Sequence, residues 1–467
     1  MNTVPRAVKA TSLWRIEVVR PDWTNGANNS NDKTVYVFVP FQTAGQQSWE
    51  IDHRSRSGTP VVSLNYDLSL SEGATSFSFN LLPFDDYMSK IKLHDLVYFY
   101  DDSYGKASEP EYIGLIQDRR YTARMTDRGI VRSISFSGKS LAALVTDFSF
   151  LLDMRILPGV AAVSESQNLM SKLSQAQAEG APYTDLIEKI KDAFCSLFDH
   201  FAPSGATGVS RILRTMLTIP DYGGRTMYPK IISPYTAGDV TLWDLIQSFS
   251  EKPWNETFFT FSNSGMELNV RPTPYMTPSG WAALQNILID PVYITGIDLG
   301  NSTAEAYTVF STTFPGPKLS QNLAYTDPTF RQGVQISDNV NWLGWKVLQV
   351  ERRYIDRSIK IDATLQNSMK QSNIELENMY ANITDMLSGT IQTKPFQVPA
   401  GKKLQAGVRC SIIGLPDVAF YVESISRSWQ TGQSFSRDLK VSRGGVYDSS
   451  GNWLRAADSR NIMENFS

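Results

Sequence analysis

Residues 241–275 read TLWDLIQSFSEKPWNETFFTFSNSGMELNVRPTPY, and this stretch decides the reading of the chain. Thr241 is placed as a helix N-cap, with Asp244 three residues on, a variant of the capping box. Leu242, Trp243, Leu245, Ile246 and Phe249 give the helix enough apolar surface to pack on a sheet. Pro253 stops it, because proline has no N–H and biases Lys252 away from the helical region. ETFFTFS and GMELNVRP then read as two strands joined around Asn263, Ser264 and Gly265, a hairpin signal. Asn255 and Glu256 fall at the entry to the first strand, where an Asn side chain can hold a turn. Arg271, at the end of the second, is the natural basic partner for Glu256. Pro272 and Pro274 stop that strand and keep its end extended. The unit is a helix–hairpin corner with a buried polar latch of Pro253, Asn255, Glu256, Arg271, Pro272 and Pro274. A catalytic reading would need a second functional group, and none is visible here.

The chain before this corner alternates with a period of two. LNYDLSL (64–70) puts Leu64, Tyr66, Leu68 and Leu70 on one face, and Asn65, Asp67 and Ser69 on the other. SFSFNL (76–81) repeats the pattern with Phe77, Phe79 and Leu81. Such alternation marks half-buried antiparallel strands. Segments 13–20, 34–41, 95–102, 111–120 and 130–138 extend the series, with Gly, Asn, Asp and Ser between them. Many short strands at this spacing suggest a sandwich or barrel. From Gly138 the character changes, and KSLAALVTDFSFLLD reads as a helix. YTDLIEKIKDAFCSLFDHF (183–201) is a stronger helix, with Leu186, Ile190, Phe194, Leu197 and Phe201 on one stripe. From about Pro291 the chain returns to strands. One helix interrupts them, IELENMYANITDML (374–387), striped by Leu376, Met379, Tyr380, Ile383 and Leu387 and stopped at Gly389. Strands resume over 403–414, 418–430 and 435–445, and residues from 446 onward read as a loosely packed tail.

Length and composition set the class. The 467 residues suggest about three domains. The 44 basic and 47 acidic residues nearly cancel, so net charge gives no global drive toward nucleic acid or anionic membrane. Cys195 and Cys410 lie in apolar patterns and read as buried free thiols. The start, MNTVPRAVKATSLW, has no apolar core of signal-peptide length. No window approaches the roughly 18 apolar residues of a membrane helix. These features predict folding in the cytoplasm and no membrane insertion.

The residues offer no catalytic, cofactor-binding or metal-ligating set. His53, His94 and His200 have no second ligand at metal spacing. SGKS (137–140) would need a glycine at position 133 to be a phosphate loop, and that residue is Ser133. No GxSxG elbow is present. Asp85–Asp86, Asp101–Asp102 and Glu375–Glu377 fall where turns and solvated helix faces are expected, rather than as a catalytic carboxylate pair. DRRYTARMTDRGIVR (118–132) carries Arg119, Arg120, Arg124, Arg128 and Arg132 around Tyr121. It reads as a solvated hairpin face or a protein–protein ion-pair surface, with nucleic-acid contact as the alternative.

Three segments together resemble one family. The helix, Pro-Trp-Asn-Glu, aromatic hairpin and closing Arg-Pro-Thr-Pro of 241–275 look like the middle domain of phage tail baseplate hub proteins. Trp254 stands where that family often has phenylalanine. SISFSGKSLAALVTDF (133–148) resembles the end of the family's first barrel, and AFYVESISRSWQTGQSFSRDLKVSRGG (419–445) its closing hairpin. The resemblance implies a mainly β fold with an α/β insertion. Two tail-tube-like antiparallel β-barrels (1–148 and 289–447) would flank a mixed α+β domain (149–288), with a C-terminal tail (448–467). It implies a homotrimeric ring in the virion tail baseplate that adapts the hexameric tail tube to a trimeric central spike. Its partners would be the tail tube protein, the central spike protein and baseplate wedge proteins, with the tape measure protein as a further candidate. DNA would pass through transiently. No enzymatic activity or cofactor is expected. Two other readings are carried: a tail-associated cell-wall or polysaccharide hydrolase, and a receptor-binding tail protein. No spare domain of enzyme size favours the first, and no repetitive β stalk favours the second.

Overall fold

The computed structural model describes residues 14–23, 32–39, 60–103, 107–126, 129–151, 183–201, 208–220, 239–250, 252–313, 334–351, 363–380, 382–399, 401–431, 433 and 435–457. The first region holds β1 (Arg15–Arg20), β2 (Lys33–Phe38), β3 (Val61–Ser69), β4 (Ser76–Leu81), β5 (Leu96–Tyr100), β6 (Tyr112–Thr126) and β7 (Gly129–Ser140). Short helices α1 (Tyr87–Lys90) and α2 (Ala143–Thr146) lie among and after them. The middle holds β8 (Ser149–Leu151), α3 (Tyr183–Phe201), α4 (Gly208–Met216), β9 (Leu217–Thr218), β10 (Asp239–Thr241), α5 (Leu242–Phe249), β11 (Asn255–Ser262) and β12 (Gly265–Pro272). The last region begins with α6 (Pro278–Ala283), β13 (Asn286–Ile289), β14 (Ile294–Gly300), β15 (Val309–Thr313) and β16 (Val334–Ile336). It continues with α7 (Val340–Leu343), β17 (Val347–Glu351), α8 (Ala363–Tyr380) and β18 (Leu387–Thr393). It ends with β19 (Arg409–Ile412), β20 (Leu415–Gln430), β21 (Ser436–Tyr447) and β22 (Trp453–Ala456).

The protein is mainly β. Its largest element is one 14-stranded sheet, in the order β14-β18-β21-β20-β3-β4-β7-β6-β5-β1-β2, with β19, β13 and β22 branching from it. The two β-rich regions, read from sequence as separate barrels, therefore share one sheet. They meet at β20, a 16-residue strand. One edge of β20 pairs first with β19, through Ala419–Tyr421, and then with β3, through Ser424–Gln430. In the first region the sheet curls over its own core: Phe99 of β5 packs on Tyr66, Phe77 and Phe79, and Phe38 of β2 on Phe79. Ladders closing either region into a complete barrel are absent among the described residues.

Alternation dictates which side is buried. Leu64, Tyr66, Leu68, Phe77, Phe79, Ile134, Phe136, Ile391, Ile425 and Leu439 all point into one continuous core. Gly138 is needed there for a close approach, since a Cβ would lie 2.0 Å from the carbonyl oxygen of Leu115 on β6. SGKS is thus the end of a buried strand, and Lys139 bonds Asp147 at 2.8 Å.

The helix over 183–201 matches the sequence reading, and Ile187, Ile190, Phe194 and Cys195 are buried on it. Cys195 and Cys410 are free and buried, and burial pushes their thiols up to about 11 and about 12. The capping box at Thr241 and Asp244 is formed in both directions. Thr241→Ala is expected to lower stability by about 1 kcal/mol, read as an earlier urea midpoint with an unchanged slope.

Three expectations need correction. KSLAALVTDFSFLLD is only one helical turn, α2, after which Ser149–Leu151 pair antiparallel with Asp239–Thr241. A partner strand distant in sequence overrides the local helical pattern. The helix placed at 374–387 runs instead over Ala363–Tyr380. Leu387 already belongs to β18, and Gly389, with φ +150°, lies within that strand rather than capping a helix. The C-terminal tail forms β22, paired with Gly445–Tyr447 of β21.

Candidate functional site

No cluster of His, Cys, Asp or Glu able to hold a metal ion occurs among the described residues. Within them, no helix is long and apolar enough to cross a membrane. Two of the three carboxylate pairs have structural partners, whereas Glu375, expected on a solvated helix face, is buried. Asp86 caps α1 through the Ser89 amide, and Asp85 binds Lys90 at 2.6 Å. Lys90 and Tyr36 hold Asp85 down at about 2. Asp102 binds Arg15 at 3.0 Å, and Asp101 pairs with Arg437. His94 sits at φ +68° before β5, with Trp23 against its ring. His53 and the His200 side chain lie outside the described residues.

The distinctive surface is the open face of the large sheet. Strand register aligns its side chains in rows. Asp298, Thr390, Lys440, Ser424 and Ser69 form one row. Gly296, Gln392, Asp438, Ser426 and Asp67 form the next. Ser436, Ser428, Asn65, Ser78, Ser137 and Asp118 form a third. Ser63, Asn80, Ser135 and Arg120 form a fourth. Nearly every position is a hydroxyl, an amide, a glycine or a carboxylate. The hydroxyls and amides satisfy one another: Asn80 donates to Ser63 at 2.8 Å, and Ser428 and Ser436 lie 2.7 Å apart. The two cations in these rows are tied to carboxylates, Arg120 to Asp118 at 2.7 Å and Lys440 to Glu423 at 3.7 Å. The face is concave where β14, β18, β21, β20 and β3 meet, around a depression of about 790 Å³.

The face is built from two equal contributions. β6, β7, β4 and β3 come from the first β region, and β20, β21, β18 and β14 from the last. Each set is a long hairpin followed by two antiparallel strands in the same spatial order. Behind the seam between the sets lies a buried charge cluster. Arg427 and Arg437 are direct partners across β20 and β21, and both point into the core. Arg427 donates to Glu111 at 2.8 Å, and Glu111 also accepts from the Tyr66 hydroxyl at 2.8 Å. Arg437 pairs with Asp101 and lies over the Phe396 ring, while burial pulls its guanidinium down to about 10. The last region supplies the arginines, and residues 101–111 of the first supply the carboxylates. Sequence reading missed this cluster. Its signal was Arg427 at the inward step between Ile425 and Trp429.

The 241–275 corner closes onto the same strand. Glu256 and Arg271 are cross-strand partners, with Arg271 Nε 3.5 Å from Glu256 Oε1. The Tyr421 hydroxyl of β20 donates to Glu256, and Arg271 donates to the Gly407 carbonyl at 2.6 Å. Gly407, at φ +85°, leaves room for that guanidinium. Burial pushes the Glu256 carboxyl above its usual range, with Arg271 and Tyr421 pulling it back. Asn255 pairs across the ladder with Pro272. Thr273 donates to the Pro253 carbonyl at 2.5 Å, and Pro274 is buried at the start of a short 3-10 turn. Trp254 points the other way and packs with Met276, Phe310, Leu376 and Met379. The corner thus ties β20 on one side to the β15–α8 unit on the other.

No family model and no curated protein matches the sequence. Among solved structures, the chain is similar to the tail protein from Neisseria meningitidis MC58, with 12% identity, 85% of this chain and 97% of that one covered, and a TM-score of 0.48. It is similar to the 43 kDa tail protein of prophage MuSo2 from Shewanella oneidensis, with 12% identity, 85% and 96% coverage and a TM-score of 0.48. It is also similar to the prophage tail protein gp18 from Listeria monocytogenes EGD-e, with 10% identity, 91% and 94% coverage and a TM-score of 0.40.

Proposed function

We propose that this chain is a structural hub at the tip of a phage tail or a related tail-like particle. Three copies form a ring that adapts a hexameric tube to a trimeric spike. The hydroxyl- and amide-lined face of the large sheet lines its channel. The observation that carries this reading is the face itself: two matched four-strand sets in one chain, presenting rows of small polar groups whose two cations, Arg120 and Lys440, are ion-paired. Two similar sets per chain give a trimer six similar sectors, which is what a sixfold tube needs from a threefold adaptor. DNA in transit must not be held, and affinity for duplex DNA grows with the number of phosphates neutralised by Lys and Arg. Serine, threonine and amide side chains hydrate the wall without adding that attraction.

The mass of the purified protein by light scattering, with and without a spike partner, tests the reading, followed by negative-stain imaging. A threefold ring with a central opening is expected. A compact monomer under both conditions would overturn it and return attention to the hydrolase reading, with Glu256 as the first residue to substitute. The lining makes a second prediction. The assembled ring should leave duplex DNA unshifted at physiological salt. The triple variant Ser69→Arg, Ser424→Arg, Ser426→Arg should retain DNA, with a log–log salt slope of about −0.9 per phosphate contacted. Tight DNA binding by the unaltered ring would count against a channel role for this face.

A further inference from the structure

The small sheet β16-β15-β17 turns one face toward α8 and the other away from it. Phe310 of β15 packs with Leu376 and Met379 of α8, and Thr312 donates to the Asn373 side chain at 2.7 Å. Leu348 and Val350 of β17 join the same cluster. Alternation then sends Ile336, Val309 and Val347, which the register sets in one row, to the opposite face. Ile336 is 45% exposed there and Val347 54%. The segment between β16 and β17 adds two indoles. α7 carries Trp342, and Gly344, at φ +70°, ends that turn just before Trp345. Trp342 is 60% exposed and Trp345 72%. The Trp342 ring is nevertheless held, because its N–H donates to the Asn339 side chain at 3.2 Å. Large apolar side chains gathered in solvent over so short a stretch mark a contact surface.

The charge around the indoles is mostly of one sign. Asp338, just before α7, is exposed. Glu305 is exposed in the turn beside Trp345, where Thr308 donates to the Gly344 carbonyl at 2.7 Å. Glu377 of α8 is near enough to Asp338 that burial and this charge together push its carboxyl up, against a hydrogen bond from Gln335. The single cation among residues 334–351, Lys346, donates to the Thr303 carbonyl at 2.9 Å. We infer that this patch binds an arginine- or lysine-rich segment of a partner protein. A cation over an indole face is attracted by the ring quadrupole, and Asp338 and Glu305 supply opposite charge at its sides. An apolar partner would cover those carboxylates without pairing them, and an anionic one would be repelled. Tryptophans in such a surface are the side chains expected to carry most of the binding. The patch belongs to a different sheet from the polar face, so the inference goes beyond the channel reading and does not depend on ring formation.

Fluorescence anisotropy of a labelled peptide of alternating arginine and glycine, titrated with the full chain, tests the site. The same peptide with citrulline in place of arginine keeps the shape and removes the charge, and it should bind about tenfold more weakly. Trp342→Ala with Trp345→Ala should also weaken binding about tenfold. That variant leaves net charge unchanged, so its effect separates this patch from the carboxylates of the large sheet. Trp342→Phe with Trp345→Phe keeps aromatic faces and should stay within about threefold of the parent. Asp338→Asn with Glu305→Gln should weaken binding and flatten its salt dependence. Equal affinity with and without the two tryptophans would overturn the inference, since the peptide would then be held elsewhere. A chitin oligosaccharide that binds where the arginine peptide does not would overturn it too, and would assign the indoles to stacking on sugar rings.

Discussion

Arg427→Ala is expected to destabilise the protein by about 3–5 kcal/mol, the cost of leaving a buried charge without its partner. Arg427 is fully buried, and its direct ion-pair partner is Glu111, held on the other side by the Tyr66 hydroxyl. Removing the guanidinium leaves the Glu111 carboxylate close to the core with one neutral donor. It also leaves a cavity at a fully buried position. The double change Arg427→Met with Glu111→Gln should recover most of the loss, because no uncompensated charge remains and the amide can still accept from Tyr66. Urea unfolding of the parent and the two variants, followed by tryptophan fluorescence, measures this. A single variant within 1 kcal/mol of the parent would mean that water or a second acceptor satisfies Glu111, and the cluster would then be no tie between the two β regions.

That cluster also shows where the sequence is legible. Local periodicity found the strands around Leu64 and Phe77, the helix over 183–201 and the Thr241 cap, because each depends on residues within a few positions. It did not find the seam. β3 and β20 lie some 350 residues apart, and nothing in LNYDLSL says that its polar face continues into ESISRSWQ. The open face was nevertheless written in both stretches: Asn65, Asp67 and Ser69 alternate as Ser424, Ser426 and Ser428 do. What pattern alone could not give was that two such rows stand side by side in one sheet. Arg427 and Arg437 were missed because arginine in an alternating strand is ordinarily read as solvent-facing, whereas register with Ile425 and Leu439 turns both inward. The corner at 241–275 was partly legible. Hairpin register brings Glu256 opposite Arg271, but Tyr421 and Gly407 come from a distant part of the chain.

Arg271→Ala is expected to cost about 3–5 kcal/mol at neutral pH, and the loss should shrink as pH falls. The guanidinium lies over Phe258, bonds the Gly407 carbonyl and Tyr421, and faces Glu256. Without it, Glu256 keeps the Tyr421 hydroxyl and loses its only nearby opposing charge on the same hairpin. Burial already holds this carboxyl above its ordinary value, and removing Arg271 raises it further. Between the ordinary and the raised value, the folded state binds a proton that the unfolded state has released. Stability therefore falls as pH rises through that window and is greatest below it. The variant should accordingly show a steeper decline in unfolding free energy from acidic to neutral pH than the parent. Glu256→Gln added to Arg271→Ala should flatten that slope, because the amide does not titrate and still accepts from Tyr421. If the slope survives the double change, the titrating group lies elsewhere. If Arg271→Ala costs no more than an exposed arginine would, the corner does not hold β20 to the middle of the chain.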